Sequence, residues 1–173
     1  MQQNLLGLVT GTFRVMLLRG SPERVHYSRP RFLVGLALAI LASALVEWLV
    51  YGDHIVFMIL RLFAELTMFM LAVTLLTAKV ARFRLAYAML LLVWISVFTD
   101  GVLLLAAPLN LGDSVHTLGF VVGLIALYGA GNTVAWALRK PLAQGIMVMV
   151  VYAIAVICLD LAFQTLYDMV AFG

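Results

Sequence analysis

Residues 57–70 read FMILRLFAELTMFM, an apolar run into which Arg61 and Glu65 are set four residues apart. Whether this run belongs to a soluble core or to a bilayer decides the fold, and composition answers that. The chain has 173 residues, 65% of them hydrophobic and 11% charged, with a mean hydropathy of +1.13. Soluble domains are about half apolar and about a quarter charged. No soluble core of this length shields so much apolar surface, so lipid is the solvent for most of the chain.

Five runs are long enough to cross about 30 Å of hydrocarbon as helices of about 20 residues. They lie near 32–51, 55–78, 85–107, 115–138 and 142–163. None shows the period-two alternation of barrel strands, so the expected fold is all-α. The connections are short: YGDH, AKVARFR, PLNLGD and RKP. Such links make successive helices antiparallel neighbours and leave no room for a separate soluble domain. The expected organisation is an N-terminal segment over 1–31 and a five-helix transmembrane domain over 32–173.

Charge gives the orientation. Arg14, Arg19, Arg24, Arg29 and Arg31 precede the first span; Lys79, Arg82 and Arg84 follow the second, and Arg139 and Lys140 follow the fourth. The opposite side carries Asp53, His54, Asp113, His116 and Asp168 without a Lys or Arg. Ten of the eleven basic residues therefore share one side, which the positive-inside rule makes cytoplasmic. The N-terminus is expected inside and the C-terminus outside, in a bacterial inner membrane. Basic residues grouped between apolar runs are a topology signal and not a nucleic-acid surface.

The N-terminal segment lacks the basic start and small-residue cleavage site of a signal peptide and reads as retained. Over residues 4–19, Leu5, Leu8 or Val9, Phe13 and Leu17 recur at helical spacing, with Asn4, Thr10, Arg14 and Arg19 off that stripe. This suits an amphipathic helix lying in the cytoplasmic interface with its arginines towards lipid phosphates. It serves as an anchor and lid for the bundle, or as a docking arm for a partner. The Gly7/Gly11 spacing allows a close helix approach, and in SPER Ser21 and Pro22 are suited to begin a new turn.

An intramembrane charge costs roughly 2.5–3.5 kcal/mol and is a functional-site hypothesis by default. At about 1.5 Å per residue, Arg61, Glu65, Asp100, Glu47 and Asp160 all fall in the outer half of the bilayer, from four different helices. Four carboxylates around one arginine cannot all be ionised there, unless a cation or water enters. Three readings stand. Arg61 bridges Glu65 and Asp100 and fixes helix packing; or the group is a cation or proton path open to the outside; or it is a polar seam joining a larger assembly. Little in the inner halves of the spans is ionisable, and an odd span count does not suit an inverted repeat.

Catalytic, metal and cofactor sites are not expected. Ser43, Ser96 and Ser114 face no convergent histidine, and Asp113 or Ser114 in DSVH reads as a helix cap. His26, His54 and His116 lie in different connections, which gives no three-ligand set. The single cysteine, Cys158, reads as a small buried hydrophobe. Met58, Met68, Met70, Met147 and Met149 read as flexible packing. Trp48, Tyr51, Tyr87, Trp136, Tyr152 and Tyr167 are partly at interface depth. The fourth span carries Gly119 and Gly123, then Gly129, Gly131 and Asn132, where backbones can approach and an amide can bond across. That span is expected to be the central helix or the interface with a second copy.

This layout resembles the YIP family (Ypt/Rab-interacting proteins) and its bacterial relatives. The shared elements are a cytoplasmic N-terminal segment, five closely spaced spans, short loops and an external C-terminus. The basic LLRGSPERVHYSRPRFLVG leading into the first span is similar to the openings of bacterial members. The resemblance implies a non-enzymatic membrane protein that binds or organises partners. The expected function is thus a scaffold or accessory subunit, with lipid and other membrane subunits or a second copy as partners. The alternative is a small cation or proton transporter or channel using Arg61, Glu65 and Asp100.

Overall fold

A computed structural model of the chain describes residues 5–17, 22, 25, 27–46, 48–49, 59, 62–63, 67–69, 71–72, 80, 82–106, 108 and 114–172. All regular structure among these residues is helical. The continuous helices are α1 (Leu5–Met16), α2 (Arg29–Val46), α3 (Arg82–Ala106), α4 (Ser114–Leu138) and α5 (Leu142–Phe172). Four stretches are long and apolar enough to cross a membrane: Arg29–Val46, Arg82–Ala106, Thr117–Leu138 and Leu142–Phe163. The expected second span, 55–78, lies outside the described residues apart from helical positions at 59, 62–63, 67–69 and 71–72. Within it, Thr67 returns its hydroxyl to the Phe63 carbonyl at 2.8 Å.

Helix boundaries follow local chemistry. Ser28 caps α2: its hydroxyl accepts the Arg31 amide at 3.4 Å, while its carbonyl accepts the Phe32 amide at 3.0 Å. Pro30 then sits in the first turn, where a missing N–H breaks no helical bond. The first span therefore begins at Arg29 instead of residue 32. The proposed cap Ser21 lies outside the described residues. At the other extreme α5 runs to Phe172, beyond the expected end near 163. No proline or glycine follows Gly145 before Gly173, so nothing in the sequence stops the helix.

The turn from α4 to α5 closes α4 with two nested hydrogen bonds. Arg139 N–H donates to the Trp136 carbonyl at 3.2 Å, and Lys140 N–H to the Ala135 carbonyl at 2.9 Å. This Schellman arrangement needs a left-handed residue after the last helical one, and Arg139 takes that place with φ 55°. Pro141 follows, and its carbonyl accepts the amides of Gln144 and Gly145 to open α5.

Side chains transferred from lipid to a protein interior gain little hydrophobic energy, so close packing and hydrogen bonds decide which helices meet. Among the described elements, α3 packs against α1, α2 and α4, and α4 packs against α1, α3 and α5. Buried residues ring α3 on all sides: Ala88, Leu90, Leu91, Val93, Trp94, Ile95, Leu103 and Ala106. The expected central role of the fourth span is thus shared with α3. A Cβ on Gly35 would stand 2.7 Å from Trp94 Nε1, which marks how close α2 comes to α3. On Gly145 it would stand 2.6 Å from the Ala135 Cβ, and on Gly131 2.9 Å from Ile146 Cα. Those two glycines let the α4 and α5 backbones nearly touch.

The outer surface is apolar. On α5, Met147, Val151, Ile154, Ile157, Leu161, Leu166 and Met169 are all more than half exposed. Cys158 lies on this helix and is exposed. The expectation of a buried cysteine is corrected, because α5 is peripheral and turns that part of its surface away from the bundle.

Candidate functional site

Of the five residues expected to form an intramembrane polar cluster, Arg61, Glu65 and Glu47 lie outside the described residues. Asp160 is helical within α5, and its side chain is also outside them. Asp100 on α3 is half-buried, and the Ser96 hydroxyl one turn earlier donates to its Oδ2 at 3.4 Å. At 100° per residue, Asp100 sits about 160° around α3 from Phe98, so it points away from the face that meets α1. Gly101 beside it has nothing within 4 Å of where a Cβ would stand.

The N-terminal helix is engaged with the bundle. Leu8, Thr12, Val15 and Met16 form its buried face, at the i, i+4, i+7, i+8 spacing of one helical side. Of the expected apolar stripe, Leu8 belongs to this face, while Phe13 and Leu17 are exposed. Leu8 and Val15 share one buried cluster with Val25, Leu90, Leu91 and Trp94; Met16 shares another with Ile95 and Ala130. The Phe13 and Phe98 rings lie 6.3 Å apart. A Cβ on Gly129 would stand 2.8 Å from Met16 Cα, and Asn132 Nδ2 donates to the Val15 carbonyl at 3.4 Å. Gly129 and Asn132 thus form the seat for the end of α1, and Gly131 faces α5.

Gly123 has open space around it, and Gly119 is half-buried. The nearby Phe120, Val121 and Leu124 are exposed. Small residues at 129–131 bring helices together, whereas that half of α4 turns outwards.

A second feature, not anticipated among the candidate residues, is centred on Arg84. Its Nη1 donates to the Trp136 carbonyl at 3.0 Å, and its guanidinium carbon lies 5.2 Å from the Trp136 ring centroid and 5.8 Å from that of Phe83. The same carbonyl accepts the Arg139 amide, so a cation closes the negative end of α4. Tyr87 lies 6.3 Å from Trp136 and 6.0 Å from Tyr27, extending the group into an aromatic row. The signal in the sequence was present: ARFRLAY places Arg84 and Tyr87 one turn apart, ahead of an apolar run. Of the expected surface arginines, Arg14 and Arg29 are exposed, Arg31 is half-buried, and Arg19 and Arg24 lie outside the described residues.

Two buried donors have no partner among the described residues: Arg84 Nε and Trp94 Nε1. The Trp94 indole is 4% exposed and presses on Gly35, where no acceptor side chain exists. No group of three His, Cys, Asp or Glu is placed to hold a metal among the described residues. Thr12, Thr99 and Thr133 return their hydroxyls to carbonyls four residues earlier, at 2.9 Å each. The arrangement is therefore rich in helix ties. Comparison with protein families, with curated proteins and with solved structures finds no match.

Proposed function

We propose that the chain is a non-enzymatic polytopic membrane protein serving as a scaffold or accessory subunit of a membrane assembly. The observation that supports this most is the use of its polar side chains. Asn132 ties α4 to α1, Arg84 ties α3 to the α4–α5 turn, and Thr12 and Thr133 bond within their own helices. A structural subunit needs such ties, whereas a transport path needs polar groups facing a continuous cavity.

In this reading the five spans form an antiparallel bundle with the basic ends of α2, α3 and α4 towards the cytoplasm of a bacterial cell. The uncovered surface of α5 meets lipid, and part of it meets another subunit or a second copy. The resemblance to the YIP family agrees with a role in organising partners. Extraction in mild detergent followed by mass measurement tests this directly. A complex larger than one chain is expected; a lone monomer under every gentle condition overturns the reading.

Asp100 favours a second reading, a cation or proton path through Arg61, Glu65 and Asp100. Its half-buried carboxylate with a serine partner is a reasonable proton or cation ligand. Asp100→Asn separates the two. Loss of the protein from the membrane marks a structural residue. A folded variant that has lost an ion flux or a pH response refutes the scaffold.

A further inference from the structure

We propose that α1 is a re-entrant helix, inserted into the bilayer without crossing it. On this view α1 enters from the basic side and reaches about the middle of the bilayer, while Tyr27, just ahead of α2, stands on that same basic side. This rests on the reading that α2–α5 cross a membrane, and it replaces a helix lying flat in the interface.

The aromatic row marks the boundary. Tyr27, Tyr87 and Trp136 lie side by side, next to Arg84 and the Arg139–Lys140 turn, where aromatic belts and cations gather. From Tyr87 to Ile95 along α3 is eight residues, or about 12 Å. From Trp136 back to Gly129 along α4 is seven residues, or about 10 Å. Met16 meets both Ile95 and Gly129, so two helices place the end of α1 at the same depth. That is most of the way through one leaflet of a core about 30 Å thick.

The direction of the segment is equally defined. Gly11 sits against Val25, with a Cβ there 3.0 Å from Val25 Cγ2. Val25 is only two residues from Tyr27 at the belt. Gly11 is therefore on the belt side and Met16 on the deep side.

Non-helical backbone at membrane depth survives only where protein satisfies it. Asn132 does this for Val15, donating to one of the last carbonyls of α1. Arg14 is exposed on the same helix. Helical side chains lean towards their own N-terminus, here back towards the basic side. The guanidinium can therefore snorkel to the interface along a stem that stays in hydrocarbon.

Depth measurement in liposomes tests the proposal. Single spin labels are placed at Thr10, Leu17, Lys140 and Ile154, all exposed, with the native Cys158 replaced by Ser. Their relative collisions with oxygen and with a water-soluble nickel chelate report depth. Leu17 is expected about 10 Å deeper than Lys140, with Thr10 between them and Ile154 deepest. Leu17 at the depth of Lys140, while Ile154 reads deep, overturns the re-entrant segment and restores a surface helix. Ile154 reading as shallow as Lys140 overturns the membrane reading itself.

Discussion

Asn132 reaches across from α4 to the backbone carbonyl of Val15, 3.4 Å away and 117 residues distant in sequence. This side-chain hydrogen bond joins α1 to the helix that packs on it, and it falls beside the Gly129–Met16 contact. With α1 inserted as proposed, the amide supplies that helix end with a bond that water cannot supply there.

Removing the amide by Asn132→Ala therefore weakens the seating of α1. Interhelical hydrogen bonds in membranes average about 0.6 kcal/mol and reach about 1.7; we expect a loss in that range. Trypsin cleavage after Arg14 in liposomes reads the seating. Faster cleavage in Asn132→Ala than in wild type is expected, and an unchanged rate argues that packing alone holds α1.

Glycines on one helix separate close contact from open space. Gly129→Ala places a methyl 2.8 Å from Met16 Cα, and overpacking of this kind costs about 1–3 kcal/mol. Gly123→Ala meets nothing within 4 Å and gains helix propensity of up to about 1 kcal/mol. Unfolding in detergent should rank Gly123→Ala at or above wild type and Gly129→Ala below it. The reverse order would place the helix contact at the other half of α4.

Much of this architecture was legible in the amino acids. Long apolar runs near 85–107 and 115–138 agree within a few residues with α3 and α4, because span length is set by bilayer thickness and not by subtle propensity. Small residues at Gly129 and Gly131 likewise announced a close approach. What could not be read was the partner. Gly129 meets Met16 from α1, a long-range contact that periodicity within α4 does not encode. The helical spacing of Leu5, Leu8, Phe13 and Leu17 suggested one apolar face, but the face chosen runs through Thr12, whose hydroxyl is absorbed by the Leu8 carbonyl. A threonine satisfied within its own helix behaves as an apolar residue, and that exchange moved the buried stripe. Cys158 was misjudged for a related reason: in lipid, an apolar run does not distinguish inside from outside.

Trp94 is 4% exposed, yet its indole N–H has no acceptor among the described residues. A buried unpaired donor costs about 1–3 kcal/mol. Trp94→Phe removes that donor and keeps most of the ring, so stability within about 1 kcal/mol of wild type or above it is expected. Trp94→Ala empties the contact with Gly35 and should lose about 3–5 kcal/mol. Equilibrium unfolding in mixed micelles distinguishes these. A large loss for Trp94→Phe would mean that the N–H has found a partner after all.

Arg139 holds the left-handed position of the α4 cap with φ 55°, a conformation costing an ordinary residue roughly 1–2 kcal/mol and glycine nothing. Arg139→Gly should raise thermal stability, by about 2–4 °C if the gain is near 1 kcal/mol in a chain of this size. Arg139→Ala removes the same charge but keeps the strain, so its melting temperature should stay at or below that of wild type. The comparison isolates backbone from charge: an equal rise in both variants would assign the effect to relief of repulsion between Arg139, Lys140 and Arg84. Arg84→Lys completes the set. It keeps a positive charge but gives up the planar stack on Trp136 and the directed bond to its carbonyl. We expect it to melt lower than wild type even though every charge is retained, since the α4–α5 turn is then closed by backbone bonds alone.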